Sequence, residues 1–102
     1  LRESPAVNLA KLLINKGADL EAYEPFKPSA KIAGLNIQKD LSKCLKEKDL
    51  IILAVGHQQF KTLDPLHIKS LTKARAVYDA VNGWDKTSWE EAGFKYFGMA
   101  KN

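Results

Sequence analysis

The 102-residue sequence contains a single cysteine, and this scarcity limits the chemistry that the chain can support. One thiol, Cys44, can form neither an internal disulfide nor a multi-cysteine metal site, and it suits a reducing cytoplasm. Because Cys44 lies on the apolar face of a predicted helix with no base beside it, we interpret it as a packing residue rather than a nucleophile. We therefore expect no catalytic residue and no metal site in this chain.

Long hydrophobic runs and blocks of like charge are also missing. No apolar run approaches the ~20 residues of a membrane span, and no signal-peptide pattern is present. The net charge is only +4, and the lysines are spread along the chain without a basic block interleaved with aromatic residues. These absences argue against membrane and nucleic-acid partners and favour one cytoplasmic domain over residues 1–102. Because the chain opens with Leu1 rather than Met, we expect it to be a fragment of a longer protein.

A dinucleotide-binding fingerprint is absent as well. The glycines form no G-x-G-x-x-G pattern, so the loop that holds a dinucleotide pyrophosphate is missing. Glu24 ends a predicted strand, as the ribose-binding acid of a Rossmann unit does, but without the glycine loop it carries little weight. We expect no cofactor to bind to this chain itself.

The most informative stretch that is present covers residues 50–55, six consecutive apolar residues without alternation. Such a run is typical of a central strand of a parallel sheet, covered on both faces. Gly56 breaks the run, and His57 follows at the carboxyl end, the edge at which open α/β sheets bind ligands. The alternative is a buried strand followed by an exposed histidine with no ligand.

Helix and strand signals alternate along the rest of the chain. Helices are predicted from Pro5, after Asp40 and from Pro65, and a capping box predicts one helical turn from Ser88 to Glu91. Strands are predicted over residues 19–23, 35–37, 50–55, 76–79 and 94–98. This alternation predicts an α/β fold, a Rossmann-like open parallel sheet of about five short strands with helices on both faces.

Two further places could meet an anionic ligand. Arg2 lies just before a predicted helix N-terminus, where backbone amides and the helix dipole favour an anion. Residues 79–83 follow a predicted strand, which places Asn82 and Gly83 at the ligand edge of the sheet. The alternatives are a solvated terminal arginine and a plain Asn-Gly turn.

Taken together, these landmarks resemble the C-terminal domain of the UDP-glucose/GDP-mannose dehydrogenase family. Each motif is weak alone, but the ordered set covers nearly the whole chain. The matching segments are R-E-S-P-A at residues 2–6, G-A at 17–18, Y-E-P at 23–25, K-D and the apolar run at 48–55, H-x-x-F-K at 57–61, V-Y-D at 77–79 and G-F-x-Y-x-G at 93–98.

The resemblance implies both an activity and a set of binding residues. In that family the full enzyme oxidises C6 of a UDP-linked sugar to a carboxylate, using NAD and a catalytic cysteine that belong to an N-terminal domain. That domain and a dimerising helix would precede this chain, so the implied partners are a UDP-sugar, the rest of the enzyme and a second copy, in polysaccharide biosynthesis. Arg2 would be the arginine of the R-E-S motif, and residues 79–82 the D-x-R-N loop. We therefore expect nucleotide-sugar contacts from Arg2, His57, Asn82 and Gly83.

The departures from the family pattern qualify this interpretation. Val81 stands where the loop arginine is usual, and Glu24 where the family favours aspartate. The family's first strand is missing, and if the chain folds unaided we expect residues 19–23 to pair directly with residues 50–55 in its place. His57 in H-x-x-F-K resembles members that act on UDP-N-acetylhexosamines such as the mannosamine sugar. The alternative function is a stand-alone Rossmann-like nucleotide-binding or interaction module without redox activity.

Overall fold

The computed structural model describes residues 5–23 and 35–98. The chain forms two compact units, Leu1–Cys44 and Leu45–Asn102. Arg2, Glu24 and the predicted helix cap Ser4 lie outside the described residues. The expectation of a single domain over residues 1–102 stays a prediction.

The first unit contains a helix and a small parallel sheet. Helix α1 (Pro5–Asn15) starts at the predicted proline. Gly17 follows its last turn and closes it, with a φ of +93°, the left-handed conformation that favours glycine. Strands β1 (Glu21–Tyr23) and β2 (Asn36–Gln38) pair in parallel, with Ala22 opposite Ile37. The predicted strand over residues 35–37 is therefore displaced by one residue.

A short helix, α2 (Leu41–Leu45), follows β2 and has the predicted cap. The Asp40 carboxylate accepts hydrogen bonds from the backbone N–H and the hydroxyl of Ser42, at 3.0 and 2.9 Å. The Ser42 hydroxyl and the Lys43 backbone N–H hold the pKa of Asp40 below its usual value. Cys44 is buried in this helix, which confirms its interpretation as a packing residue.

The second unit contains a three-stranded parallel sheet, and helices connect each strand to the next along the chain. The strands are β3 (Ile51–Leu53), β4 (Ala76–Asp79) and β5 (Lys95–Gly98), and they lie in the order β3-β4-β5. Helices α3 (Gln58–Lys61) and α4 (Pro65–Leu71) connect β3 to β4, and α5 (Lys86–Glu91) connects β4 to β5. The parallel α/β fold is confirmed, and β4 has the predicted bounds.

The core of the second unit lies on one face of this sheet. In the register of the strands, Val77 of β4 is opposite Tyr96 of β5, and both side chains are buried. Ile68 of α4 and Trp89 of α5 are buried as well, and these two helices pack on each other. On the other face, the side chain of Phe97 is 51% exposed.

Three sequence predictions about the sheet are wrong. The first is the central position of β3, because β4 is the middle strand of the three-stranded sheet. The ladders between described residues join β1 to β2, β3 to β4 and β4 to β5, and none of them joins residues 19–23 to residues 50–55. The apolar run is not covered throughout, since Leu50 and Val55 are 45% and 41% exposed. Only three of its six residues form the strand, and among residues 5–23 and 35–98 β3 has a ladder with β4 alone.

The cap of α5 also differs from the prediction. Asp85, not Ser88, is the N-cap, because its carboxylate accepts hydrogen bonds from the Ser88 backbone N–H at 3.1 Å and from the Ser88 hydroxyl at 2.7 Å. The helix is therefore capped three residues earlier than predicted, and Ser88 lies in its first turn as a donor to the cap. The predicted end of the helix at Gly93, with φ of +109°, is confirmed.

Candidate functional site

Two loops meet at the carboxyl edge of the three-stranded sheet. The first, residues 54–57, follows β3, and the second, residues 80–84, follows β4. The backbone N–H of Ala80 donates a hydrogen bond to the Leu53 carbonyl at 2.9 Å, which extends the contact between the strands into the second loop. Parallel strands present this edge to ligands. The candidate site is therefore built from these two loops and from α3, which begins directly after the first.

Asp79, the last residue of β4, determines the shape of the second loop. Its carboxylate is fully buried and accepts four hydrogen bonds. One oxygen accepts from the backbone N–H groups of Val81 and Gly83, at 3.2 and 3.0 Å. The other accepts from the Trp84 backbone N–H at 2.8 Å and from the Tyr96 hydroxyl at 2.6 Å. The loop thus folds around a carboxylate whose accepting positions are all taken by hydrogen bonds within the chain, so none is left for a ligand.

The electrostatics of the Asp79–Tyr96 pair keep the carboxylate charged. Burial alone would raise the pKa of Asp79, but the hydrogen bonds from Tyr96, Gly83, Trp84 and Val81 outweigh it, and the pKa is lowered. Burial and the hydrogen bond to Asp79 raise the pKa of Tyr96. Across the physiological range, Asp79 is therefore an anion and Tyr96 a neutral donor to it.

Asn82 and Gly83, two of the predicted binding residues, form the outer part of this loop. Asn82 adopts a φ of +57°, a conformation that asparagine tolerates better than most residues, and its side chain is exposed. A Cβ at Gly83 would lie 3.0 Å from Leu53 Cδ2 and 3.3 Å from Lys61 Cγ. Only glycine fits here without displacing those side chains. Gly83 therefore serves close packing of the loop against β3 and α3.

Lys61 is a cation at this edge that sequence reasoning did not select. Its side chain runs past Gly83, and its Cε lies 3.9 Å from the position of a Cβ at Gly56. The Val81 Cγ2 also lies 3.9 Å from that Cβ position, so Lys61 and Val81 flank the space between the two loops. The H-x-x-F-K motif contained Lys61, but the short helix α3 that aims it was not predicted.

His57 begins α3 at the end of the first loop. It is the N-cap residue of the helix, and its carbonyl accepts from the backbone N–H groups of Phe60 and Lys61 at 3.0 and 3.1 Å. Its exposed ring stands edge-on to the Phe60 ring, with centroids 5.9 Å apart. The structure therefore brings the segments that carry His57, Asn82 and Gly83 to one edge, whereas Arg2 lies outside the described residues.

The second loop is joined to α3 by a tryptophan. The Trp84 indole N–H donates a hydrogen bond to the Phe60 carbonyl at 2.8 Å.

Among residues 5–23 and 35–98, no group of three histidine, cysteine, aspartate or glutamate side chains is placed to hold a metal ion. In the same part of the chain no helix is long and apolar enough to cross a bilayer. The site therefore consists of a lysine, exposed polar side chains and close backbone.

The residues of this edge lie in a segment that matches a known protein family. Residues 1–86 match the UDP binding domain of the UDP-glucose/GDP-mannose dehydrogenase family. The chain belongs to this family. The matched region includes both loops of the candidate site and α3, so the family assignment covers the residues that form the edge.

Individual family members are similar over nearly the whole chain. A UDP-N-acetyl-D-mannosamine dehydrogenase of Methanococcus maripaludis is 29% identical over 96 residues, which are 91% of this chain and 22% of that protein. A UDP-glucose 6-dehydrogenase of Rickettsia felis is 28% identical over 104 residues, 97% of this chain and 23% of that protein. The chain spans less than a quarter of the length of these relatives. Nearly equal identities do not separate the two sugars, so the expected N-acetylhexosamine preference stays a prediction.

A solved structure has the same fold as this chain. The crystal structure of NDP-N-acetyl-D-galactosaminuronic acid dehydrogenase from Methanosarcina mazei Go1 matches 99% of this chain and 21% of its own, with a TM-score of 0.84 and 20% identity. At this identity the likeness supports the α/β fold of the UDP binding domain and not a particular sugar.

Proposed function

We propose that this chain is the nucleotide-sugar-binding domain of an NAD-dependent UDP-sugar 6-dehydrogenase. The full enzyme would oxidise the C6 alcohol of a UDP-linked sugar to a carboxylate in the cytoplasm, for polysaccharide biosynthesis, and would act as a homodimer. The observation that carries the proposal is the match of residues 1–86 to a UDP binding domain of this family. NAD and the catalytic cysteine would belong to the rest of the enzyme, so the chain alone should not turn over a UDP-sugar.

The carboxyl edge of the three-stranded sheet is the proposed position of UDP. Lys61 supplies a positive charge for the diphosphate, since lysine binds phosphate as a point charge. The exposed side chains of His57 and Asn82 offer hydrogen bonds, and the backbone at Gly83 permits close approach. Arg2 is a further candidate for the phosphates through the family's R-E-S motif.

A titration of the chain with UDP, GDP and NAD tests the nucleotide and the role of Lys61. We expect UDP to bind and NAD not to bind.

Lys61→Gln should weaken UDP binding by roughly tenfold, about 1.4 kcal/mol, because it removes a charged contact to phosphate. The control is Lys95→Gln, which removes the same charge at the opposite edge, where β5 begins. Equal losses in both variants would show that only net charge matters.

Val81→Arg tests the missing arginine of the family loop. The Val81 side chain is 39% exposed between the two loops, so an arginine there can reach the diphosphate without burial of its charge. We expect tighter UDP binding by this variant. Leu50→Arg is the matched control, since Leu50 is 45% exposed just before β3, at the opposite edge. An equal gain in the control would contradict a specific contact.

Chemical shifts on UDP addition locate the site directly. We expect changes clustered at residues 56–61 and 80–83. Changes clustered at residues 43–48, which precede β3, would refute the position. If UDP binds but no dehydrogenase domain is encoded with the chain, a stand-alone nucleotide-binding module becomes the better interpretation.

A further inference from the structure

Trp84 makes hydrogen bonds in two directions, and together they connect the two sides of the carboxyl edge. Its backbone N–H donates to Asp79 at 2.8 Å, inside the second loop. Its indole N–H donates to the Phe60 carbonyl at 2.8 Å, on α3. Phe60 directly precedes Lys61, so the contact acts next to the lysine of the proposed UDP site.

The indole ring is held so that its N–H has little freedom to find another partner. Trp84 is only 5% exposed, and its ring stacks on Trp89 with centroids 4.0 Å apart and an interplanar angle of 23°. Trp89 in turn packs against Phe94, with ring centroids 5.3 Å apart. A buried indole N–H requires an acceptor, and the Phe60 carbonyl is in place to supply it.

Helix α3 depends on contacts of this kind for its position. It has four residues, Gln58–Lys61, and none of their side chains is buried. A helix of one turn is not stable by itself, because nucleation fixes several residues for few hydrogen bonds. The Trp84 contact therefore connects α3 to the buried aromatic cluster of Trp84, Trp89 and Phe94.

We propose that Trp84 is a positioning residue that sets the distance between Lys61 and the loop of Val81, Asn82 and Gly83. It touches no ligand in this proposal but fixes two ligand-binding segments relative to each other before UDP arrives. A site that is formed in advance binds more tightly, because less ordering accompanies binding. The effect on affinity rests on the proposed function, whereas the effect on α3 does not.

Trp84→Phe is the direct test, because it removes the N–H donor and keeps an aromatic ring to stack on Trp89. We expect UDP affinity to fall by roughly two- to tenfold, the range of one neutral hydrogen bond. The matched control is Trp89→Phe, which makes the same change in the other ring of the stack, on α5 and outside both loops. At a temperature where all variants are folded, we expect the control, which keeps the Trp84 N–H and changes only its stacking partner, to lower UDP affinity by less than Trp84→Phe does.

Amide hydrogen exchange provides a readout that needs no ligand. The backbone N–H groups of Phe60 and Lys61 donate to the His57 carbonyl within α3. Both should exchange faster in Trp84→Phe, and by a smaller factor in Trp89→Phe, because the Trp84 N–H donor remains there. Should Trp84→Phe fail to fold, β-(3-benzothienyl)alanine at position 84 keeps the bicyclic shape and replaces the N–H with sulfur.

The two readouts separate failure of this inference from failure of the proposed function. Unchanged exchange at Phe60 and Lys61 in Trp84→Phe, or equal acceleration in Trp89→Phe, would overturn the positioning role. Faster exchange in Trp84→Phe alone, with no UDP binding by the unchanged chain, would keep the role of Trp84 in α3 and reject the UDP site. Faster exchange with unchanged UDP affinity would overturn the link between Trp84 and binding.

Discussion

The two edges of the three-stranded sheet each carry an aspartate, and the two aspartates are used differently. At the amino edge, Asp49 precedes β3, its side chain is 93% exposed, and it pairs with Lys73 at 3.2 Å. At the carboxyl edge, Asp79 ends β4, is fully buried and accepts four hydrogen bonds. The first is a solvated ion pair, whereas the second is the centre around which a loop folds.

Burial decides whether an acidic side chain organises the backbone around it. An exposed pair gains little, because water and salt screen the attraction and two long side chains lose freedom. A buried carboxylate must be satisfied by donors, and when several backbone amides supply them, the loop that carries those amides takes one conformation. The carboxyl edge is consequently built before any ligand arrives.

Loss of the Asp79 carboxylate should have the largest effect on stability. Asp79→Ala leaves three backbone N–H groups and the Tyr96 hydroxyl without their acceptor, and we expect a loss of about 3–5 kcal/mol of unfolding free energy. Asp49→Ala should change it by less than about 0.5 kcal/mol. Urea denaturation of both variants makes the comparison, and equal losses would remove the distinction between the edges.

The same carboxylate predicts an acid limb of stability. Because the folded chain lowers the pKa of Asp79, its contribution is fully present above the unfolded value of about 4 and is lost as pH falls through the lower folded pKa. Asp79→Asn should flatten this limb below about pH 4. Asp40, whose pKa is also lowered, remains in both proteins, so the difference between the two curves isolates Asp79.

Truncation of Leu53 compares the two ends of β3. Leu53 is 4% exposed and lies under Gly83, so Leu53→Ala should lower the unfolding free energy by about 2–5 kcal/mol. Leu50 is 45% exposed before the strand, and Leu66 is 65% exposed on α4. The same change at either residue should lower the unfolding free energy by less than about 1 kcal/mol. Similar denaturation midpoints for the three variants would mean that the carboxyl end of β3 is not packed as described.

Tyr96→Phe removes one donor from Asp79 and leaves the other three. We expect a loss of about 1–2 kcal/mol, since the hydrogen bond goes to a charged group. Because the folded chain raises the pKa of Tyr96, its contribution is present below the unfolded value of about 10 and is lost as pH rises through the folded pKa. The unchanged chain should therefore lose stability above about pH 10 more steeply than the variant. Parallel alkaline curves would contradict the buried phenol.

The smallest effect belongs to Lys73. Lys73→Gln breaks the ion pair with Asp49, and we expect a change below about 1 kcal/mol that shrinks further in high salt. Thermal melts at low and high salt measure it. A larger, salt-independent loss would show that the amino edge, too, contains a structural carboxylate.

The local features of this protein follow from short stretches of its amino-acid sequence. The start of α1 at Pro5, its end at Gly17, the Asp40 cap and the bounds of β4 were all predicted, because each signal acts within about five residues. The Asp64 cap of α4 is of the same kind, with its carboxylate accepting from the Leu66 backbone N–H at 3.1 Å. The ordered family motifs, also read along the chain, indicated the UDP binding domain.

Tertiary structure decided which of these local features form the candidate site. The Tyr96 hydroxyl reaches Asp79 across 17 positions of sequence, and the Trp84 indole reaches Phe60 across 24. Neither pairing has a local signature, so the sequence placed Asp79 in the loop after β4 without indicating that it is the buried centre of that loop. Lys61 was overlooked for the same reason, since α3 is too short to be stable from its own residues and takes its place from contacts made elsewhere in the chain.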